Sequence, residues 1–222
     1  MDKKEGYKKY KNQIELMSER WNMSQELICA FCYQESRFEE KAKRYEPAFY
    51  KKYVEKFNIP QEEKTWRATS WGLMQLMGQT AREIGYRGYR DDLVDPIINL
   101  YYCCKFFIKL LNRYKGSETD AIAAYNQGNN RFKDLDKDGI KDENEVYNNQ
   151  KYVDNVLKYE KEFNKIINEN NIIKEDSVYV VKSGDTLTKI ANSLGTTTME
   201  LSKLNGIKNP DFIYIGQKIR IK

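Results

Sequence analysis

Glu26–Phe38 reads ELICAFCYQESRF. Ser24 stands just ahead of it, and its hydroxyl can satisfy an orphan backbone N–H of a first helical turn, so the spacing predicts a helix capped there. Ile28, Phe31 and Cys32 precede Glu35 by seven, four and three residues, which places all four on one face. A carboxylate does not belong on an apolar stripe unless it is paired or kept protonated. Desolvation raises the pKa of such a group, and a Glu tuned to roughly 6–7 is a general acid ready at neutral pH. On this helix alone two readings stand: Glu35 at the stripe's edge in a salt bridge with Lys or Arg, or Glu35 as a proton donor.

Outward from this helix, 222 residues suffice for one good core and a small second module. The composition, 40% apolar and 13% aromatic, is that of a folded protein. Seven Lys/Arg stand against three Asp/Glu from Ser177 to Lys222, so most of the net charge of +5 sits at the C-terminal end. That suits either a polyanionic surface such as a bacterial envelope or a solvated basic face. Histidine is absent, which excludes His-based triads and His-ligated metals. The four cysteines fall in two helical patterns as Cys29/Cys32 and Cys103/Cys104 and are expected as buried reduced thiols, because adjacent cysteines on a helix point about 100° apart and do not converge on a metal. MDKKEGYKKYKNQ has no apolar core of a secretory signal, and IINLYYCCKFFIKLL is too short and polar to span a bilayer. Synthesis in the cytoplasm without a signal peptide is therefore expected, or a terminus from which a leader has been removed.

Before Glu35, Tyr7–Trp21 is amphipathic through Tyr10, Ile14, Met17 and Trp21. After it, Pro47 can open a helix whose Phe49, Tyr50, Tyr53, Val54 and Phe57 share an apolar face, either as scaffold or as the wall of a sugar-binding groove. In SWGLMQLMG, Gly72 and Gly78 bracket a short run that reads as a turn or strand, with Gln75 offering both a donor and an acceptor. Asp95-Pro96 is a strong helix start, and the apolar helix to about Tyr114 is expected to be buried at the centre. Ser117 and Asp120 start another helix, which ends with Tyr125 and Asn126 before Gly128. Asn149–Asn168 is a last amphipathic helix through Tyr152, Val153, Val156, Tyr159 and Phe163, followed by a polar linker, NENNIIKED.

Asp134, Asp136, Asp138, Gly139, Ile140, Asp142 and Glu145 fit D-x-D-x-D-G-x5-E without a gap. Carboxylates at loop positions 1, 3 and 5, the carbonyl of Ile140 at 7 and a bidentate Glu145 at 12 would wrap one Ca²⁺. With Lys141 at position 8 and a single such loop, this reads as a structural staple rather than a sensor; a solvated acidic loop is the alternative. From Val178 the period changes: YVV, the turn Ser183-Gly184-Asp185 with Asp185 able to cap TLTKIANSL, a second short helix through Met199, Leu201 and Leu204, and KIRI make a β-α-α-β unit.

Glu35-Ser36, Gly72–Gln75 (GLMQ) and Ala123–Gly128 (AAYNQG), in that order and with Asp95, Pro96 and Asn99 between them, resemble the soluble lytic transglycosylases that cut bacterial peptidoglycan. YVVKSGDTL, ANSLGTT, LSKLNGI and IYIGQKIRI resemble a LysM domain. The resemblance implies a mainly α fold: a lysozyme-like catalytic domain over 1–168, a linker at 169–176 and a βααβ LysM domain over 177–222. It implies that Glu35 protonates the glycosidic oxygen and then takes a proton from the 6-hydroxyl of N-acetylmuramic acid, with Tyr125 holding Glu35 by a hydrogen bond. Ser36, Ser70, Gly72, Met74, Gln75 and Asn126 would bind the glycan. In the second module Gly184, Asp185, Thr186 and Leu187 would face Pro210, Asp211, Ile213 and Tyr214 across a groove for N-acetyl groups. The stretch between Glu35 and Gly72 is longer than the family's, Trp71 fills a usually small position, Gly78 stands where Pro is frequent, and Cys103 falls where a small residue is usual.

Only one acidic residue lies inside the matched motifs, whereas an ordinary glycosidase uses two. A tethered substrate hydroxyl has a high effective molarity and can replace water, so one Glu suffices. The expectation is thus a wall-degrading lyase of phage or prophage endolysin type, monomeric, without organic cofactor, nucleic-acid partner or membrane span, holding a structural Ca²⁺. Two other readings are a goose-type lysozyme-like hydrolase, in which Glu46, Asp91, Asp92 or Asp95 positions a water, and a non-catalytic wall-binding protein.

Overall fold

The structure is a computed structural model and describes residues 1–129, 131–133, 141–142, 144–175 and 178–221. It divides into two compact units, Met1–Asn164 and Lys165–Lys222. The architecture is mainly α, as expected.

In the first unit, α1 (Lys3–Trp21) and α2 (Gln25–Ser36) start at side-chain caps, Asp2 on the N–H of Glu5 and Ser24 on that of Leu27. The Pro96–Arg113 helix, α6 below, packs on α1 and on α7 (Glu118–Gln127), so Ile14, Phe31, Leu100 and Phe107 meet in one core. Asp95 caps α6 on the N–H groups of Ile97 and Ile98, and Ser117 caps α7 on that of Asp120. α6 is not buried all round: Leu100, Cys103, Cys104, Phe107 and Leu110 face the core, whereas Ile97 is 48% exposed. All four cysteines are buried free thiols, and burial pushes Cys29, Cys32 and Cys103 far above the ordinary thiol range and Cys104 to about 12.

Between α2 and α6 runs a three-stranded antiparallel sheet, β1 (Lys43–Tyr45), β2 (Thr69–Trp71) and β3 (Leu76–Met77), with Arg44 opposite Ser70 and Ser70 opposite Met77. The expected turn-or-strand at GLMQLM is this β2–β3 hairpin. The segment opened by Pro47 is one turn of helix, α3 (Pro47–Phe49), running into a π-helical turn (Tyr50–Val54). Of its proposed apolar face only Val54 is fully buried. Two further short helices, α4 (Gln61–Arg67) and α5 (Gly78–Glu83), flank the sheet. A Cβ on Gly78 would stand 2.3 Å from the Trp66 carbonyl oxygen, so α5 begins where α4 leaves no room for a side chain.

α8 spans Gln150–Glu175. The polar stretch expected as linker is thus helical as far as Glu175, since it contains neither Gly nor Pro to stop the helix.

In the second unit β4 (Val178–Val180) pairs antiparallel with β5 (Lys218–Arg220), Tyr179 opposite Ile219, around α9 (Leu187–Ser193) and α10 (Thr198–Asn205). Val181, Leu187, Ile190, Ala191, Leu201 and Ile219 form its core. The cap of α9 is Thr186, not Asp185: the Asp185 carboxylate instead accepts from the Lys182 N–H and the Tyr179 hydroxyl, both at 2.7 Å, and ties the turn to β4. Among the described residues, no helix is long and apolar enough to cross a membrane.

Candidate active site

Glu35 lies one residue from the end of α2, half-buried, in a cleft of about 320 Å³. The cleft's other walls come from the π-helical insert (Phe49, Tyr53), the β2–β3 hairpin and α5 (Ser70, Gln75, Leu76, Met77, Thr80), α6 (Phe106) and the end of α7 (Tyr125, Asn126, Gln127, Gly128). Among these described lining residues Glu35 is the one acid. Burial pushes its carboxyl up from 4.5 to about 7, against the Tyr152 hydroxyl and the Arg44 guanidinium, which both favour the ionised form.

The hydrogen bond to Glu35 comes from Tyr152 in the first turn of α8, whose hydroxyl donates to Oε1 at 2.5 Å. The expectation that Tyr125 holds Glu35 is corrected: the Tyr125 hydroxyl donates to the Met74 carbonyl at 2.9 Å, and its ring packs on Phe31 with centroids 4.7 Å apart. Tyr125 still lines the cleft, so it shapes the pocket from the side. The sequence pattern places Tyr152 on the apolar face of its helix. A tyrosine on such a face has a hydroxyl that must find a partner, and the unpaired carboxylate on the stripe of α2 is the natural one.

The hairpin is set by a buried amide. Asn99 Oδ1 accepts from the Met74 N–H at 3.0 Å, and its Nδ2 donates to the carbonyls of Trp71 (2.8 Å) and Leu93 (2.9 Å). Gly72 has φ +74° and a Cβ there would lie 2.4 Å from Asn99 Nδ2, so the turn requires glycine on both counts. Met74 is fully buried, and its expected contact with sugar is corrected to a core contact: the hairpin turns its side chain inward. Gln75, also at positive φ, anchors on the carbonyls of Ala42 and Gly72 and borders the cleft. The Ser36 hydroxyl donates to the Leu73 carbonyl at 2.7 Å, so it locks α2 to the hairpin rather than facing ligand. Ser70 borders the cleft. Asn126 also borders it, and its Oδ1 accepts from Asn149 Nδ2 at 3.0 Å, a partner on the far side of the acidic loop that the sequence pattern does not single out.

None of Glu46, Asp91, Asp92 and Asp95, the acids that a hydrolase reading needs, is among the described residues lining the cleft. Glu46 is paired with Arg44, Asp91 is exposed beside Lys43, and Asp95 caps α6. Asp134, Asp136, Asp138 and Ile140 of the acidic loop lie outside the described residues. Its ends are joined by an antiparallel bridge between Phe132 and Tyr147, and Glu145, at loop position 12, is only 3% exposed.

Residues 12–148 match the profile described as the Transglycosylase SLT domain. The chain belongs to that family. Behind its SLT domain, residues 179–222 match the LysM domain. In structure it resembles an inactive mutant of the lytic transglycosylase Slt from Pseudomonas aeruginosa, at TM-score 0.50 and 20% identity over 72% of this chain and 24% of that one. That likeness speaks to the fold. Curated relatives match over about the length of the LysM module: an uncharacterized lipoprotein, YgeR, of Escherichia coli (51% over 45 residues), the probable peptidoglycan endopeptidase LytE of Bacillus subtilis (52% over 46) and the endolysin of Bacillus phage B103 (50% over 46). Each match takes 20–21% of this chain, which spans only 14–18% of those relatives.

In the LysM module Leu187 is 1% exposed, so its expected place on the glycan surface is corrected to the core. Gly184 has φ +83° in the turn, Pro210 and Asp211 are exposed, Ile213 packs against the core, and Tyr214 is 71% exposed. Phe212, at 81% exposed, joins Tyr214 on that loop and was not foreseen.

Proposed function

We propose that the protein is a peptidoglycan lytic transglycosylase that cleaves the β-1,4 bond between N-acetylmuramic acid and N-acetylglucosamine. The protonated Glu35 gives its proton to the glycosidic oxygen, so the bond from the muramic C1 breaks and N-acetylglucosamine leaves as an alcohol. Glu35, now a carboxylate, takes the proton of the muramic 6-hydroxyl as that oxygen bonds to C1. The product is a 1,6-anhydro ring, no water is consumed, and the acid is restored. Tyr152 orients the carboxyl, while Tyr125, Ser70, Gln75 and Asn126 line the place of the sugar.

The observation that carries this reading is Glu35, the one acid among the described lining residues of the cleft and one with a raised pKa, which suits a reaction needing one proton shuttle rather than a carboxylate pair. The LysM module would hold the glycan through its Gly184–Thr186 turn and its Pro210–Tyr214 loop, and kinship with a phage endolysin in that module supports a phage or prophage lysin role. Product analysis on purified sacculi tests the chemistry. Anhydro ends are expected from the wild type and none from Glu35→Gln; reducing ends would mean a hydrolase, and an inert wild type a binding protein.

We also propose that Asp134, Asp136, Asp138, Ile140, Asp142 and Glu145 hold one structural Ca²⁺. The bridged loop ends and the buried Glu145 support it. Bound calcium would neutralise the clustered carboxylates and fix the chain between α7 and α8. Added calcium should raise the melting temperature and chelator return it; a melt blind to both would refute the site.

A further inference from the structure

We propose that the insert Pro47–Phe57 builds an additional sugar subsite at the side of the cleft, which takes one more N-acetylhexosamine of the same glycan strand. This rests on the reading of the cleft as a glycan site. Phe49 and Tyr53 stand four residues apart across the π-helical turn, with ring centroids 4.9 Å apart. On one side they line the cleft that holds Glu35. On the other they line a second cavity of about 270 Å³, completed by Phe57, Gln79 and Glu83, with Thr80 common to both. The second cavity is just below the range for drug-sized ligands, about 300–1,000 Å³, so it has room for about one ring beyond those held in the cleft. The shared wall makes cleft and cavity neighbours along one strand.

The insert is not explained as core. Val54 alone is fully buried, whereas Tyr53 is 47% exposed. It is nevertheless held in place: Lys64 Nζ donates to the Glu55 carbonyl at 2.8 Å and Gln61 Nε2 to the Tyr50 hydroxyl at 3.1 Å. A fixed exposed ring, Tyr53, beside the half-buried Phe49 and with polar groups at the rim, is what a pyranose needs, since its C–H face stacks on a ring while its hydroxyls need partners. Those partners are Thr80 and Glu83, whose carboxylate is oriented by the Gln79 amide at 2.8 Å. The π-turn Tyr50–Val54 gains a role as well, because such turns recur at functional sites.

The test compares an alternating tetrasaccharide with an octasaccharide of the glycan, using the full chain. The variants Phe57→Ala and Glu83→Ala change residues that border the second cavity and do not line the cleft that holds Glu35. In each, the advantage of the octasaccharide in kcat/KM should shrink by about tenfold while the tetrasaccharide is cut as before. The same comparison of Kd in the Glu35→Gln background reads the subsite even if the chemistry assigned to Glu35 is wrong, and LysM is identical in every arm. A length advantage unchanged in both variants, or a loss equal at both lengths, overturns the proposal.

Discussion

Glu35 keeps its proton near neutrality because the cost of burying its charge exceeds what Tyr152 and Arg44 return. Below pH 4.5 the carboxyl is protonated in both folded and unfolded chains and costs nothing. Between 4.5 and about 7 the unfolded chain releases the proton while the folded one retains it, so folding stability falls as pH rises and levels off above that value. Glu35→Gln removes this loss. The variant should melt with the wild type at pH 4 and above it at pH 8, by on the order of 3 kcal/mol at most. On the proposed mechanism activity needs the proton, so kcat/KM should decline on the alkaline side with a midpoint near 7. Tyr152→Phe removes a bond that favours the ionised form, so it should lower kcat by about ten- to a hundredfold while moving that midpoint upward. A slower enzyme with an unmoved midpoint would show that Tyr152 acts only through packing. The acid itself was legible in the sequence, because a Glu on an apolar stripe is a local anomaly. Its partner was not, since Tyr152 is 117 residues away and only packing brings the two together.

At the scale of elements, capping gave the clearest signals: Ser24, Asp95 and Ser117 open helices, and the glycine after α7 closes one, where local chemistry required. The π-turn of the insert and the helical continuation to Glu175 were not legible, because both depend on what the segment packs against rather than on its own pattern. Nor was the coupling of Trp71 to Gly78. Trp71 Nε1 donates to the Trp66 carbonyl at 3.1 Å, the same oxygen that leaves no room for a side chain on Gly78. The two departures from the family pattern are therefore one packing solution. Asn99 is the residue through which α6 fixes the hairpin. Asn99→Leu should leave the Met74 N–H and the Trp71 and Leu93 carbonyls buried without that partner, and cost roughly 3–5 kcal/mol in denaturant unfolding. Asn99→Asp keeps the acceptor but turns a carboxylate oxygen toward the two carbonyls, so it should cost at least as much. Equal stability of all three proteins would mean that backbone and water hold the hairpin instead.

At the scale of the whole molecule, the proposed function divides the labour between two cores of unequal size. The first unit contains the cleft with its acid, and the second, with a six-residue core, carries most of the chain's net positive charge and an exposed Phe212–Tyr214 loop. Tethering a wall-binding module to a catalytic one raises the local concentration of strand at the cleft, an advantage that exists only where the substrate is a continuous surface. A chain lacking residues 177–222 should therefore cut soluble oligosaccharides at the wild-type kcat/KM. Its rate on insoluble sacculi should fall by on the order of a hundredfold, because engagement is no longer bivalent. Raising salt should weaken sacculus binding by the intact chain through the basic C-terminal residues and leave the truncated chain less affected. Loss of activity on the soluble substrate as well would show that the first unit depends on the second for its fold or its chemistry. Unchanged sacculus activity would show that the cleft and its aromatic insert bind the wall unaided.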